Sequence, residues 1–147
     1  MTTYVPSAEK VFELDVTCGS PTMLGRINGG NGMMIPITGG TVKGEMLSGE
    51  VLPGGADWAI RYENGRSVVD ARYAIKADDD TVIQIFNGAS LHLELGEDKA
   101  IPTMVTSPRF IAPEGPHDWL NCGVYVGTLA PIMGSTFAVR VVIFRMV

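Results

Sequence analysis

Short runs of strictly alternating apolar and polar residues, each cut off by glycine or proline, leave this chain little alternative to antiparallel sheet. In "VFELDVTC" Phe12, Leu14, Val16 and Cys18 point one way while Glu13, Asp15 and Thr17 point the other, which is the period of a half-buried strand. "SLHLELG" repeats the pattern, with Leu91, Leu93 and Leu95 against His92 and Glu94. No window sustains a helical period beyond a turn or two. With 18 glycines and 9 prolines in 147 residues, the connections are short and strands follow one another in sequence. The expectation is all-β: a single antiparallel β-barrel, lipocalin-like or allene-oxide-cyclase-like in outline, with Gly/Pro-rich loops and little helix. Closing the sheet removes its exposed edges. One domain spans 1–147, with residues 1–9 expected as a flexible N-terminal segment.

The strongest local signal is "RYENGRSVV", where Asn64-Gly65 between alternating segments predicts a two-residue type I′ hairpin turn. That turn sets a register: Tyr62 faces Ser67, Arg61 faces Val68, Ala59 faces Asp70 and Asp57 faces Arg72. "SPTMLGRINGGNG" carries turn chemistry and reads as a loop. "MMIPITGG" and "TVKGEMLSGEVL" read as short strands whose Gly44 and Gly49 mark bulges or close backbone approach. "KADDDTVIQIFNG" reads as a turn feeding a strand. The prolines of "SPRFIAPEGPHDW" predict an ordered loop, and "WLNCGVYVG" and "TFAVRVVIFRMV" finish the chain as strands.

Several chemistries are disfavoured. A formal net charge of −5 argues against nucleic acid or an anionic membrane as partner. No run of about 18 apolar residues suggests a spanning helix, and "MTTYVPSAEK" lacks a signal-peptide pattern. A cytoplasmic location is the default. Cys18 and Cys122 are expected as free, buried thiols rather than a disulfide. "GGTVKGE" lacks the Lys-Ser/Thr ending of a phosphate loop. His92 and His117 have no companion at zinc-ligand spacing, and the Asp78-Asp79-Asp80 run lacks the rest of a calcium loop. Neither a metal nor an organic cofactor is called for.

What remains is carboxylate, tyrosine and arginine chemistry. In the I′ register Asp57, Arg61, Asp70 and Arg72 share one face of the hairpin, and Trp58, Ile60, Tyr62, Val69 and Tyr73 share the other. Such a charged face either looks at water, where its pairs contribute ~0 to 1 kcal/mol each, or lines a barrel cavity. A second stripe, Trp119, Asn121 and Tyr125 in "WLNCGVY", either converges on the same cavity or fills the core and satisfies a loop. Arg109 and Arg26 are candidate rim cations or plain surface charges.

"PITGGTVKGEMLSGEVLPGGADW", "DARYAIKADDDTVIQIFNG" and "WLNCGVYVG" together resemble the family catalogued as domain of unknown function 3237, small β-barrel proteins, from about Val11 to the C-terminus. The resemblance implies a barrel that self-associates, and a site lined by Asp57, Asp70, Arg72, Trp119 and Asn121. It implies no substrate. The leading expectation is a cofactor-independent isomerase, cyclase, hydratase or lyase acting on a small hydrophobic carbonyl or phenolic compound. Asp70 or Asp57 would be the acid or base, Arg72 and Arg61 would hold an anion, Tyr73 or Tyr125 would donate a proton, and Arg109 would stand at the rim. A ligand carrier without chemistry and an oligomeric structural protein are the alternatives.

Overall fold

In the computed structural model, which describes residues 2–93, 103–134 and 137–147, the alternation becomes ten strands. They are β1 (Ala8–Cys18), β2 (Thr22–Ile27), β3 (Gly30–Lys43), β4 (Gly49–Val51), β5 (Ala56–Tyr62), β6 (Arg66–Ala77), β7 (Val82–His92), β8 (Met104–Ile111), β9 (Val124–Ile132) and β10 (Ala138–Met146). One 3₁₀ turn, Asp118–Asn121, is the sole helical element among the described residues. All pairings are antiparallel, and β1 pairs with β10 on one side and β3 on the other, so the sheet closes on itself. Because β4 and β5 behave as one strand interrupted at Leu52–Gly55, the result is a closed eight-stranded antiparallel β-barrel. β2 is additional, and lengthens the wall at one end by pairing with the first half of β3.

The seam between β1 and β3 depends on Gly40, whose φ is +144° and where a Cβ would collide with the Asp15 carbonyl oxygen. Gly44 and Gly49 are also places of close backbone approach, to Val11 and Lys76. One end of the barrel is packed solid. Phe12, Leu14, Ile75, Ile83, Ile85 and Ile143 are at most 1% exposed, and each contributes ~1.5–3 kcal/mol by leaving water. Phe110 meets Phe12 and Tyr125 edge-on, with ring centroids 5.7 and 5.1 Å apart. Leu120, from the 3₁₀ turn, joins that core.

Several local expectations are corrected. "SPTMLGRINGGNG" is not a loop but β2, a turn and the start of β3. Asn28 and Gly29 both have positive φ, so the type I′ turn sits there. β3 runs unbroken through Gly39 and Gly40, and β7 runs unbroken through "FNGAS". The "SLHLELG" alternation enters β7 as far as His92, while Glu94 and Leu95 lie outside the described residues. β8 contains Pro108, expected in a loop. It is tolerated because β8 pairs with β9 only from Met104 to Thr106, so no ladder bond is demanded of residue 108 on that side. Pairing also reaches back to Ala8, inside the segment 1–9 expected to be flexible.

Candidate functional site

The decisive difference lies in the β5–β6 hairpin. Its turn has three residues, Glu63 to Gly65, with only Gly65 at positive φ (+89°), and the Gly65 N–H donates to the Tyr62 carbonyl at 3.1 Å. The I′ turn at Asn64-Gly65 is therefore absent and the register moves by one residue. Asp57 faces Ala71, Ile60 faces Val68 and Arg61 faces Ser67. A one-residue slip exchanges the faces of one strand relative to its partner. Asp57, Ala59 and Arg61 now share the inner face with Ser67, Val69, Ala71 and Tyr73, while Trp58, Ile60 and Tyr62 share the outer face with Asp70 and Arg72. The outer face of β3 accommodates this, because Gly30 and Gly32 stand opposite Tyr62 and Ile60. A Cβ at Gly30 would come within 2.9 Å of both side chains.

With Asp57, Ala59 and Arg61 at the inner β5 positions where the other register would bring Trp58, Ile60 and Tyr62, and with Val69 and Ala71 beside them on β6, the second end of the barrel stays hollow. The chamber opens to solvent, and its free space is ≈ 870 Å³ only when the open solvent within its mouth is included. Its wall is mostly aliphatic, including Val16, Ile35, Ile37, Leu129 and Val139, and its polar groups are Cys18, Asp57, Arg61, Ser67, Tyr73 and Asn87. The ladder arranges these in tiers. Nearest the hairpin tip are Arg61 and Ser67. Two strand positions below Ala59 and Val69 runs the row Ile35, Asp57, Ala71, Asn87, Pro108, each directly opposite the next on the neighbouring strand. Tyr73 lies one step deeper, opposite Ile85.

Asp57 interrupts the β5–β6 ladder. Its Oδ1 accepts the Asp70 backbone N–H at 2.9 Å, between the paired Asp57–Ala71 and Ile60–Val68 positions. Burial pushes its pKa above the usual carboxylate range; the Asp70 N–H opposes the shift, the Asp70 charge adds to it, and Arg61 draws it back. Burial is the largest of these influences and sets the direction, and Arg61 is the smallest. Burial, with the nearby Cys18 and Asp57, raises Tyr73 far above the ordinary phenol range. Burial first and Asp57 second push the Cys18 thiol up to about 11. Tyr73 and Cys18 thus keep their protons at neutral pH, and Asp57 binds its own more tightly than a surface aspartate does.

Of the residues singled out from sequence, Asp57, Arg61 and Tyr73 line the chamber. Asp70 and Arg72 do not: they lie outside, 3.5 Å apart, in an exposed pair. Arg72 and Arg109 both stand over the Phe86 ring on that outer surface, 5.8 and 4.4 Å from its centroid. Arg26 pairs with Glu63 at 2.7 Å in solvent. Trp119 and Asn121 are on the 3₁₀ turn, so the strand parity that grouped them with Tyr125 does not apply. Asn121 is tied to the loop backbone, accepting from Ala112 N–H at 2.8 Å and donating to Ala112 O at 2.9 Å. The Tyr125 hydroxyl donates to the carbonyls of Trp119 and Cys122 at the packed end. Both cysteines are free, but Cys122 is exposed rather than buried. Among the described residues no three His, Cys, Asp or Glu side chains gather as a metal site, and no helix is long and apolar enough to cross a membrane.

Ser67 and Asn87 were not anticipated. Asn87 breaks the inward row Ile83, Ile85, Asn87 of β7, a signal hidden because Asn-Gly at 87–88 reads as a turn.

These features make the chain a small cup-shaped antiparallel barrel, solid at one end and hollow at the other, with an acid, a phenol and an amide on its inner wall. The chain belongs to the family described as "Protein of unknown function (DUF3237)", which matches residues 6–146, as the sequence motifs indicated. A protein of Rhodopseudomonas palustris carrying the name "UPF0311 protein" is 35% identical over 130 residues, covering 82% of this chain and 85% of the relative. A crystal structure of a β-barrel-like protein from Acinetobacter baumannii superposes with a TM-score of 0.87 at 25% identity, over 99% of each chain. A protein from Penicillium herquei, described only as an enzyme, shares the fold with a TM-score of 0.74 at 20% identity, over 97% of this chain and 98% of that one.

Proposed function

We propose that the chamber binds a small, largely apolar compound bearing a carbonyl or phenolic oxygen and moves a proton on it, as a cofactor-independent isomerase, cyclase, hydratase or lyase does. The carrying observation is Asp57, a carboxyl group with burial-raised pKa on the wall of an otherwise aliphatic chamber. A raised pKa brings a carboxyl closer to the pH at which it both takes and returns a proton. Tyr73, protonated and without a hydrogen-bond partner among the described residues, is placed to donate to oxygen charge that develops when the proton leaves. Arg61, near the mouth, attracts an anionic substituent. The fold shared with a Penicillium herquei enzyme agrees with a catalytic use of such a cup.

A ligand carrier is the second reading, favoured by the predominance of aliphatic side chains on the wall. Deuterium incorporation next to the carbonyl of 2-tetralone in D₂O, followed by NMR, separates the two. Catalysed exchange that falls by about 10²–10⁴ in Asp57→Asn, with ketone affinity kept within about tenfold, supports proton transfer. Binding without exchange supports the carrier, and no binding refutes the chamber as a ligand site.

A further inference from the structure

We propose that Asn87 is the chamber's second recognition group, taking a hydrogen bond from a ligand hydroxyl while Asp57 engages another oxygen of the same molecule across Ala71. The inference rests on the chamber holding a small molecule, and adds the substrate class: compounds with two oxygen functions in a 1,3 relation on an apolar skeleton.

Asn87 is 1% exposed, yet its Oδ1 has no hydrogen-bond partner among the described residues. A buried acceptor left unpaired destabilises the empty protein, so the amide needs an explanation that packing does not supply. Its position supplies one. Asn87 and Asp57 are the two polar members of a single row, each directly opposite Ala71 on the intervening strand. Two strand spacings of about 4.8 Å separate their backbones, and both side chains enter the same chamber. The Ala71 methyl between them is the smallest side chain that keeps the strand apolar. A flat ligand resting on it presents one oxygen to each side.

A competing account lies on the same wall. Thr106, also buried with an Oγ1 unpaired among the described residues, is an inward residue of β8 one diagonal from Asn87, since Asn87 faces Pro108. If a small adjustment lets Thr106 donate to Asn87, the amide is a structural member and the ligand has no part in satisfying it. Stability tells the two accounts apart, because removing a satisfied amide weakens the protein whereas removing an unsatisfied one strengthens it.

The experiment compares fluorescence titrations of 1,3-dihydroxynaphthalene and 1-naphthol with thermal melting, in the wild type and in Asn87→Leu. The wild type is expected to favour the diol at least tenfold. Asn87→Leu is expected to lose that preference, to keep 1-naphthol affinity within threefold and to melt higher without ligand. If the leucine strains the wall, Asn87→Ala must show the same loss of preference. Equal wild-type affinities, a preference that survives both substitutions, or a lowered melting temperature in Asn87→Leu with its fold intact overturns the role of Asn87 and leaves the chamber reading standing. Binding of neither naphthol overturns both.

Discussion

Replacing Asp57 by Asn should make the protein more stable at neutral and alkaline pH and leave it unchanged in acid. In the folded chain burial raises the Asp57 pKa above its unfolded value, so the native state holds this proton over a pH range in which the unfolded chain has released it. The native state then binds more protons than the unfolded one, and stability falls as pH rises from about 4 through the native pKa. Each tenfold weakening of the acid is worth ~1.4 kcal/mol, lost once the pH passes the native value. Asparagine is nearly the same shape, keeps an oxygen for the Asp70 N–H and never ionises. Differential scanning calorimetry from pH 3 to 9 should therefore give superimposable melting temperatures at the acid end. Above it the asparagine variant should rise relative to the wild type, by about 3–4 °C per kcal/mol in a chain of this size. Asp57→Ala supplies the control: with no acceptor for the Asp70 N–H it should lie ~1–3 kcal/mol below the asparagine variant at every pH. The lowered carboxylates Asp15, Glu13 and Asp79 act in the opposite direction, being lost as pH falls, but they cancel in the difference between variants. A pH-independent difference, or an asparagine variant that melts lower at pH 8, would refute the claim that burial governs Asp57.

Other consequences are as direct. Ala71→Leu should fill the space between Asp57 and Asn87 and abolish naphthol fluorescence enhancement while circular dichroism shows an intact sheet. Alkylation by iodoacetamide at pH 8, read by mass spectrometry, should label the exposed Cys122 and leave Cys18 unmodified, because burial pushes the Cys18 thiol up to about 11. Gly40→Ala should cost at least ~3 kcal/mol in a urea melt, since its Cβ meets the Asp15 carbonyl and its φ is disfavoured for alanine. If copies of the chain associate through the outer hairpin face, where Trp58 is 47% exposed, light scattering will give a multiple of 15.7 kDa that Trp58→Glu returns to the monomer; a monomeric wild type refutes this.

The strand alternation of β1, the barrel, the close approaches at Gly44 and Gly49 and the shared face of Asp57 and Arg61 could be read from residue order, because each depends on neighbours within one strand or on glycine's own geometry, whereas Tyr73 joins that face only in the observed register. Asp70, Arg72, Trp119, Asn121, Tyr125 and Arg109 could not be placed so. The first two follow from the hairpin register, and an Asn-Gly pair is compatible with either a two- or a three-residue turn; its local energies scarcely distinguish them. Trp119 and Asn121 follow from a 3₁₀ turn whose four residues are too few to show a period. The choice was made by contacts distant in sequence. β5 is held between β3 and β6, and the glycines of β3 give Ile60 and Tyr62 a place outside the wall, so the small and charged residues are turned inward. Alternation tells a strand that it has two faces. Which one becomes the inside is decided by whatever packs against it.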